Sequence, residues 1–376
     1  MKKRYDVWVA GAGYAGGVAA RALAERGKQV LVLERRNHIG GNAYDCLSAT
    51  GVLMHQYGPH IFHTNDKKVF DWLSRFTEWR DYQHRVIANI PDGRGERMTY
   101  PVPFNLTSLE TAFGAEEGKK LGDKLVAAYG AEKKVTILEL RQNPDPEISA
   151  LADYVYEHVF VHYTMKQWGQ KPEEIDPNTT ARVPVFLSQD DRYFQDTCQG
   201  MPAEGYTKMF ERMLDHPNIE VRLGVDARPI LKEAQGPVIY TGQTDELFGF
   251  KYGPLPYRTL FFQFETLFQD FYQSHGTVNY TVDEEFTRIT EFKHLTGQEI
   301  PGVTTIVKEY SRPYTGEEGE IPYYAIINPA NNALYAKYKE EAEQYPNLHL
   351  LGRLAEYKYY NMDAIAARAL ELAERL

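Results

Sequence analysis

A glycine turn set between a short apolar strand and an alanine-rich helix constrains the fold of this chain more than any other stretch. The run Val7 to Val9 leads directly to Gly11-Ala12-Gly13-Tyr14-Ala15-Gly16; a helix ending near Arg26 comes next, then a second apolar run closing at Glu34. The spacing has a physical cause. Gly11 permits the tight turn, Gly13 lets backbone approach a pyrophosphate, and Gly16 lets helix and strand pack closely, while the helix N-terminus offers free N–H groups and a positive dipole. A carboxylate about 20 residues on, here Glu34, can accept both hydroxyls of an adenosine ribose. The βαβ unit from about Tyr5 to Glu34 therefore reads as a dinucleotide-binding start.

The rest of the chain is long enough for more than one subdomain, with 376 residues of which 43% are hydrophobic. A net charge of −10 argues against nucleic-acid binding, which needs a basic surface. The two cysteines, Cys46 and Cys198, lack CxxC spacing and suggest neither a disulfide framework nor a zinc site. No apolar run is long enough to span a membrane, and the first residues enter a strand rather than a signal segment, so a cytoplasmic location is expected.

Three kinds of pattern succeed one another. Residues 1–80, with 196–236 and 340–376, read as a discontinuous dinucleotide-binding domain; 103–180 read as a helical insertion, with amphipathic stretches from Glu117 to Tyr129 and Ile148 to Val161. Residues 81–102, 181–195 and 237–339 read as an antiparallel sheet domain, with strands at Val238 to Thr241, Thr259 to Phe264, Thr277 to Thr281 and Thr304 to Tyr310. Prolines and acids between Lys171 and Pro184 predict a surface loop, and the C-terminal region predicts a strand at Leu348 to Gly352 and a helix from about Asp363. The expected class is α/β: a Rossmann-like domain with an inserted helical subdomain and an antiparallel β-sheet subdomain. An exposed helical insertion could also serve a homodimer or higher homo-oligomer.

Arg35, Arg36 and a second glycine turn at Gly40-Gly41-Asn42 come after the fingerprint, an arrangement more typical of FAD than of NAD proteins. FAD is expected first and NAD second. From this point the chain resembles the bacterial UDP-galactopyranose mutases. The resemblance is carried by GAGYAG, IGGNAYD, YGPHIFHT (Tyr57 to Thr64), YTMKQWG (Tyr163 to Gly169), ARVPV (Ala181 to Val185), DRYFQD, LPYRTL (Leu255 to Leu260), TRITEFKH, EYSRP, PYYAI and GRLAEYKYYNMD, in order along almost the whole chain. It implies reversible ring contraction of UDP-galactopyranose to UDP-galactofuranose, through a sugar adduct on N5 of reduced FAD, with no net redox change. Contraction requires breaking the anomeric C1–O bond and reclosing the ring through O4, and an electron-rich flavin nitrogen can carry the sugar between these steps.

The resemblance further implies roles for single residues. Arg182 and Arg288 meet the diphosphate, where a guanidinium fork stabilises developing charge better than a lysine does; the alternative is a pair of surface arginines. Tyr163 stacks on uracil, with Thr164 and Trp168 completing the pocket, unless these form a buried aromatic helix face. Tyr193, Tyr324 and Tyr359 bring hydroxyls to the diphosphate, and Phe194 and Asn279 lie near uridine or sugar. His60 and His63 stand beside the isoalloxazine; as H-x-x-H they lack further ligands for a metal. Ile61, Arg258, Arg353 and Asn361 complete the FAD set, with Gly11, Gly13, Gly16, Glu34, Arg35, Gly41 and Asn42. Three departures from the family pattern are Val159, where an aromatic is usual, Asn361 in place of an aspartate, and Phe186 in place of an arginine. The competing enzyme class is an FAD amine oxidase or desaturase, and the non-enzyme alternative is a flavin-binding sensor.

Overall fold

A computed structural model of the chain describes residues 4–91, 96–171, 184–229, 231 and 234–376. It divides into two compact units: Met1–Tyr82, Asp196–Arg258 and Gly316–Leu376 make the first, and Gln83–Gln195 with Thr259–Thr315 make the second. Residues 237–258 and 316–339 thus lie in the first unit, and the described part of the helical stretch shares the second with the sheet. Arg182 and most of the loop expected between Lys171 and Pro184 lie outside the described residues.

The first unit is built on a parallel sheet in the order Ile219–Leu223, Val30–Glu34, Val7–Ala10, Val238–Tyr240, Leu348–Leu350. Every residue of Val30–Glu34 is buried, as a parallel strand covered on both faces requires. Helices Tyr14–Glu25 and Met362–Arg375 pack on one another, and Ala15, Val18, Ala19 and Leu23 of the first are buried. One expectation is corrected here. The run starting at Val238 is not part of an antiparallel sheet but the parallel neighbour of Val7–Ala10, with Ala10 opposite Tyr240. A short apolar run suits a doubly covered sheet and a half-exposed one equally, so periodicity alone could not separate them.

In the second unit the sheet runs Tyr257–Leu267, Thr304–Pro313, Arg288–Glu291, Thr277–Tyr280, Val86–Pro91, Arg97–Val102. It is mixed rather than antiparallel, because Thr277–Tyr280 pairs in parallel with Val86–Pro91. Parallel pairing needs a long crossover between the strands, and the helical stretch lies in that interval. Val86, Ala88 and Ile90 alternate inward along their strand and join Leu109, Leu125, Ile137, Leu140, Leu151 and Val155 from the helices in one core. Each such large aliphatic chain contributes about 1.5–3 kcal/mol by leaving water. Helix starts are set locally: Asn105 and Ser108 cap Leu106–Phe113 reciprocally, and Asp145 caps Pro146–Val155, whose first residue is the proline.

The helix expected from Ile148 to Val161 is broken by a π turn, Tyr156–Phe160, before resuming as Val161–Trp168. Such a turn widens the helix by one residue and rotates the facing of every later side chain. Val159 sits in it, buried in the core of this unit. Among the described residues no helix is long and apolar enough to cross a membrane.

Candidate functional site

The carboxyl ends of the parallel strands in the first unit open into a groove with about 1240 Å³ of empty space, where ligands of such sheets bind. Gly11 adopts φ +110°, and a Cβ there would fall 2.1 Å from Thr241 Oγ1. A Cβ on Gly16 would fall 1.9 Å from the Gly11 carbonyl oxygen, so helix and strand approach as only glycine allows. The second glycine turn meets the first directly, since a Cβ on Gly41 would lie 2.9 Å from Gly13 Cα. Two backbones thus face each other in a space that any side chain would fill.

Glu34 is buried and organises this cradle. Its Oε2 accepts from the Ala12 amide at 2.7 Å and its Oε1 from the Arg36 amide at 2.9 Å. A carboxylate offers about four lone-pair directions, so further acceptor capacity remains for ribose hydroxyls. Arg36 donates from Nη2 to Asn42 Oδ1 at 2.8 Å and lies 4.3 Å over the Tyr57 ring, while its Nη1 is buried with no acceptor among the described residues. A buried, unanswered guanidinium nitrogen in a groove lined by glycine backbone fits an anionic dinucleotide. Arg35 lines the same groove and pairs with Glu246 at 3.1 Å; Arg228 reaches the same carboxylate at 2.9 Å.

His60, Arg353 and Asn361 also line the groove. The His60 amide donates to His55 Nδ1 at 3.0 Å, and full burial lowers the His55 pKa to about 4, so His55 is a neutral acceptor at physiological pH. Arg353 comes directly after Gly352, which has φ +105°; its Nε donates to the Tyr360 carbonyl at 2.7 Å and its guanidinium lies 4.6 Å over Tyr359. Tyr359 in turn stacks on Tyr324, ring centroids 6.2 Å apart. Asn361 stands at the N-cap of Met362–Arg375. His63 lies on Phe62–Thr64, its Nδ1 2.5 Å from Asp196 Oδ2. Ile61 lies between the two histidines and is half-buried. Arg258 is buried at the start of Tyr257–Leu267, and burial pulls its pKa down. Neither Ile61 nor Arg258 lines the groove.

The second unit holds the remaining candidates. Tyr163, Thr164 and Trp168 share the helix Val161–Trp168, with Thr164 buried. Asn279, Arg288 and Glu309 occupy matched positions on three adjacent strands. Arg288 donates from Nε to Glu309 Oε2 at 2.9 Å, and its Nη2 lies 2.9 Å from the same oxygen; Glu309 is 1% exposed, and its Oε1 has no hydrogen-bond partner among the described residues. The buried His84 presents its ring to both Tyr193 and Phe194, at 5.6 and 6.0 Å between centroids. Thr241, Tyr57, Asp196 and Glu309 were missed by sequence reasoning. Asp196 and Glu309 stand inside DRYFQD and EYSRP, and a question about what holds His63 and Arg288 would have pointed to them.

A family model described as an NAD(P)-binding Rossmann-like domain matches residues 9–76, and one described as UDP-galactopyranose mutase matches residues 158–359. A UDP-galactopyranose mutase from Mycoplasma pneumoniae is 37% identical over 99% of this chain and 96% of its own length. A dTDP-fucopyranose mutase from Escherichia coli is 34% identical over 98% and 97%. The crystal structure of a reduced UDP-galactopyranose mutase superposes with a TM-score of 0.72 at 15% identity, covering 99% of this chain and 94% of that one, a likeness of fold. With full-length identity at this level and a family model that spans the helix of Tyr163 and the strands of Asn279 and Arg288, the chain belongs to the UDP-galactopyranose mutase family.

Proposed function

We propose that this chain, loaded with reduced FAD, interconverts UDP-galactopyranose and UDP-galactofuranose. The observation that carries the reading is the Asn279–Arg288–Glu309 row: a guanidinium oriented by a buried carboxylate beside an amide, which supports a role in holding a diphosphate. The groove of the first unit supports FAD as the dinucleotide. Gly11, Gly13, Gly16 and Gly41 would face its pyrophosphate, Glu34 its ribose, and Arg36, Asn42 and Arg353 its anionic parts. When bound and reduced, the flavin supplies an electron-rich ring nitrogen for transient attachment of the sugar.

The chain's own residues do the rest. Arg288, with Arg182, retains the released nucleotide and balances its charge; Tyr163, Thr164, Trp168, Phe194 and Asn279 hold the nucleoside and sugar; Tyr193, Tyr324 and Tyr359 offer hydroxyls to phosphate oxygens. His63, braced by Asp196, can hold or yield a proton at Nε2. Dithionite-reduced protein incubated with UDP-galactofuranose should yield UDP-galactopyranose by anion-exchange chromatography. No conversion by flavin-loaded, reduced protein overturns the proposal, and oxygen uptake with an amine would point to an oxidase. Because one relative is a dTDP-fucopyranose mutase, the same assay with dTDP-fucopyranose decides base and sugar preference.

A further inference from the structure

We infer that Lys166 is a positioning residue for the nucleotide pocket, tying the helix of Tyr163, Thr164 and Trp168 to the chain segment that joins Asn279 to Arg288. The inference rests on the reading of that pocket given above. Lys166 occupies the middle of YTMKQWG on Val161–Trp168. Its Nζ donates to the carbonyl of Tyr280, to that of Glu284 at 2.9 Å and to that of Phe286 at 3.3 Å. An ammonium has three protons and no acceptor, so one side chain satisfies three carbonyls of a single segment.

A second stitch lies about two helical turns earlier. Thr281 Oγ1 donates to the His158 carbonyl at 2.6 Å, within the π turn that precedes the helix. A third comes from Ser311, whose hydroxyl donates to the Gln167 carbonyl at 2.6 Å. The segment 280–286 is therefore held to the helix from both ends, with Asn279 just before its start and Arg288 just beyond its finish. Losing the ammonium frees the segment and, with it, the spacing between the proposed base-stacking and diphosphate residues. A lysine that only filled core volume would not need three acceptors on one loop.

Burial lowers the Lys166 pKa to about 8, against the pull of the Glu284 and Asp283 carboxylates, while Arg97 pushes the same way as burial. Arg97 is itself paired with Glu284 at 2.9 Å and lies over the Tyr280 ring. Since the folded-state value is below that of a free lysine, the proton leaves the folded protein first. Above pH 8 the folded state gains relative to the unfolded one from this group, because the unfolded chain keeps its proton up to about 10.4. Nucleotide affinity should therefore fall with rising pH while the melting temperature does not fall on this group's account, a split that a merely structural lysine would not produce.

The test uses the flavin-loaded protein and UDP as probe, with binding followed by tryptophan fluorescence and turnover by KM and kcat. Lys166→Met should weaken UDP binding and raise KM by about tenfold or more, the scale of a lost charged hydrogen bond, with kcat changed less than threefold; Lys166→Arg should restore most of the affinity. Wild-type KM should rise above pH 8, and that rise should move to higher pH or vanish in Lys166→Arg. UDP affinity within twofold of wild type in Lys166→Met overturns the inference while leaving the mutase reading intact; failure of the wild type to bind UDP removes the mutase reading itself. If Lys166→Met does not retain flavin, the pH profiles decide, and identical wild-type and Lys166→Arg profiles overturn the inference.

Discussion

Replacing Glu34 by glutamine isolates what one buried carboxylate does for the cofactor groove. Its two oxygens accept from the amides of Ala12 and Arg36 at 2.7 and 2.9 Å, so the side chain fastens the first glycine turn to the end of the second strand. Glutamine is nearly isosteric but has one acceptor oxygen; its NH2 would face an N–H at the other position. The loss includes one charge-assisted hydrogen bond, about 1.5–3 kcal/mol, and a buried donor left unanswered, about 1–3 kcal/mol. Taking about 3 kcal/mol as the share felt by the ligand, FAD affinity should fall about 100-fold. Titrating apoprotein with FAD and following quenching of flavin fluorescence measures this directly, with circular dichroism confirming that the parallel sheet persists. A Kd within threefold of wild type for well-folded Glu34→Gln would refute the assignment of Glu34 as the groove's organising acceptor.

Other outcomes come from the same geometry. Gly41→Ala puts a Cβ 2.9 Å from Gly13 Cα at a position with φ +58°, so the purified protein should carry little flavin, read from its visible absorbance. Arg288→Lys cannot place two nitrogens beside Glu309 Oε2 as the guanidinium does, and kcat/KM should fall about tenfold or more; an unchanged value would remove Arg288 from the site. Tyr324→Phe and Tyr359→Phe should each cost about 1 kcal/mol in substrate affinity, and a double variant with wild-type KM would exclude both hydroxyls. His55 has a folded-state pKa of about 4, below that of a free imidazole, so the unfolded chain binds the extra proton between about pH 6.5 and 4 and this contribution to stability is lost as pH falls through that window. Thermal melts from pH 7 to 4 should show a smaller loss for His55→Gln than for wild type.

What could be read from the sequence was what depends on spacing within one stretch. The fingerprint, Glu34, the second glycine turn and the helices of the second unit all obey local rules: which backbone needs a glycine, which cap precedes which amphipathic run. Val238–Tyr240 escaped because three apolar residues carry no information about which sheet receives them. The parallel pairing of Thr277–Tyr280 with Val86–Pro91 escaped because strand direction is decided by the crossover, far from either strand. The π turn escaped because a one-residue widening leaves the apolar pattern almost unchanged. In the candidate site, the residues proposed to touch ligand came from motif chemistry. Their supports did not: Glu309 matters through Arg288, Asp196 through His63 and Lys166 through three carbonyls, and each relation exists only once distant segments meet.

The assembly of the first unit from Met1–Tyr82, Asp196–Arg258 and Gly316–Leu376 has a consequence for biosynthesis. Val7–Ala10 is synthesised long before its neighbour Val238–Tyr240 and that strand's own neighbour Leu348–Leu350, and Val30–Glu34 long before its neighbour Ile219–Leu223. At about 5–20 residues per second of translation, the nascent strand pair carries two unpaired edges for many seconds, sticky templates for other polypeptides. Because the second unit interrupts the first in sequence, chaperone dependence during synthesis should exceed that of a chain whose nucleotide-binding sheet is contiguous.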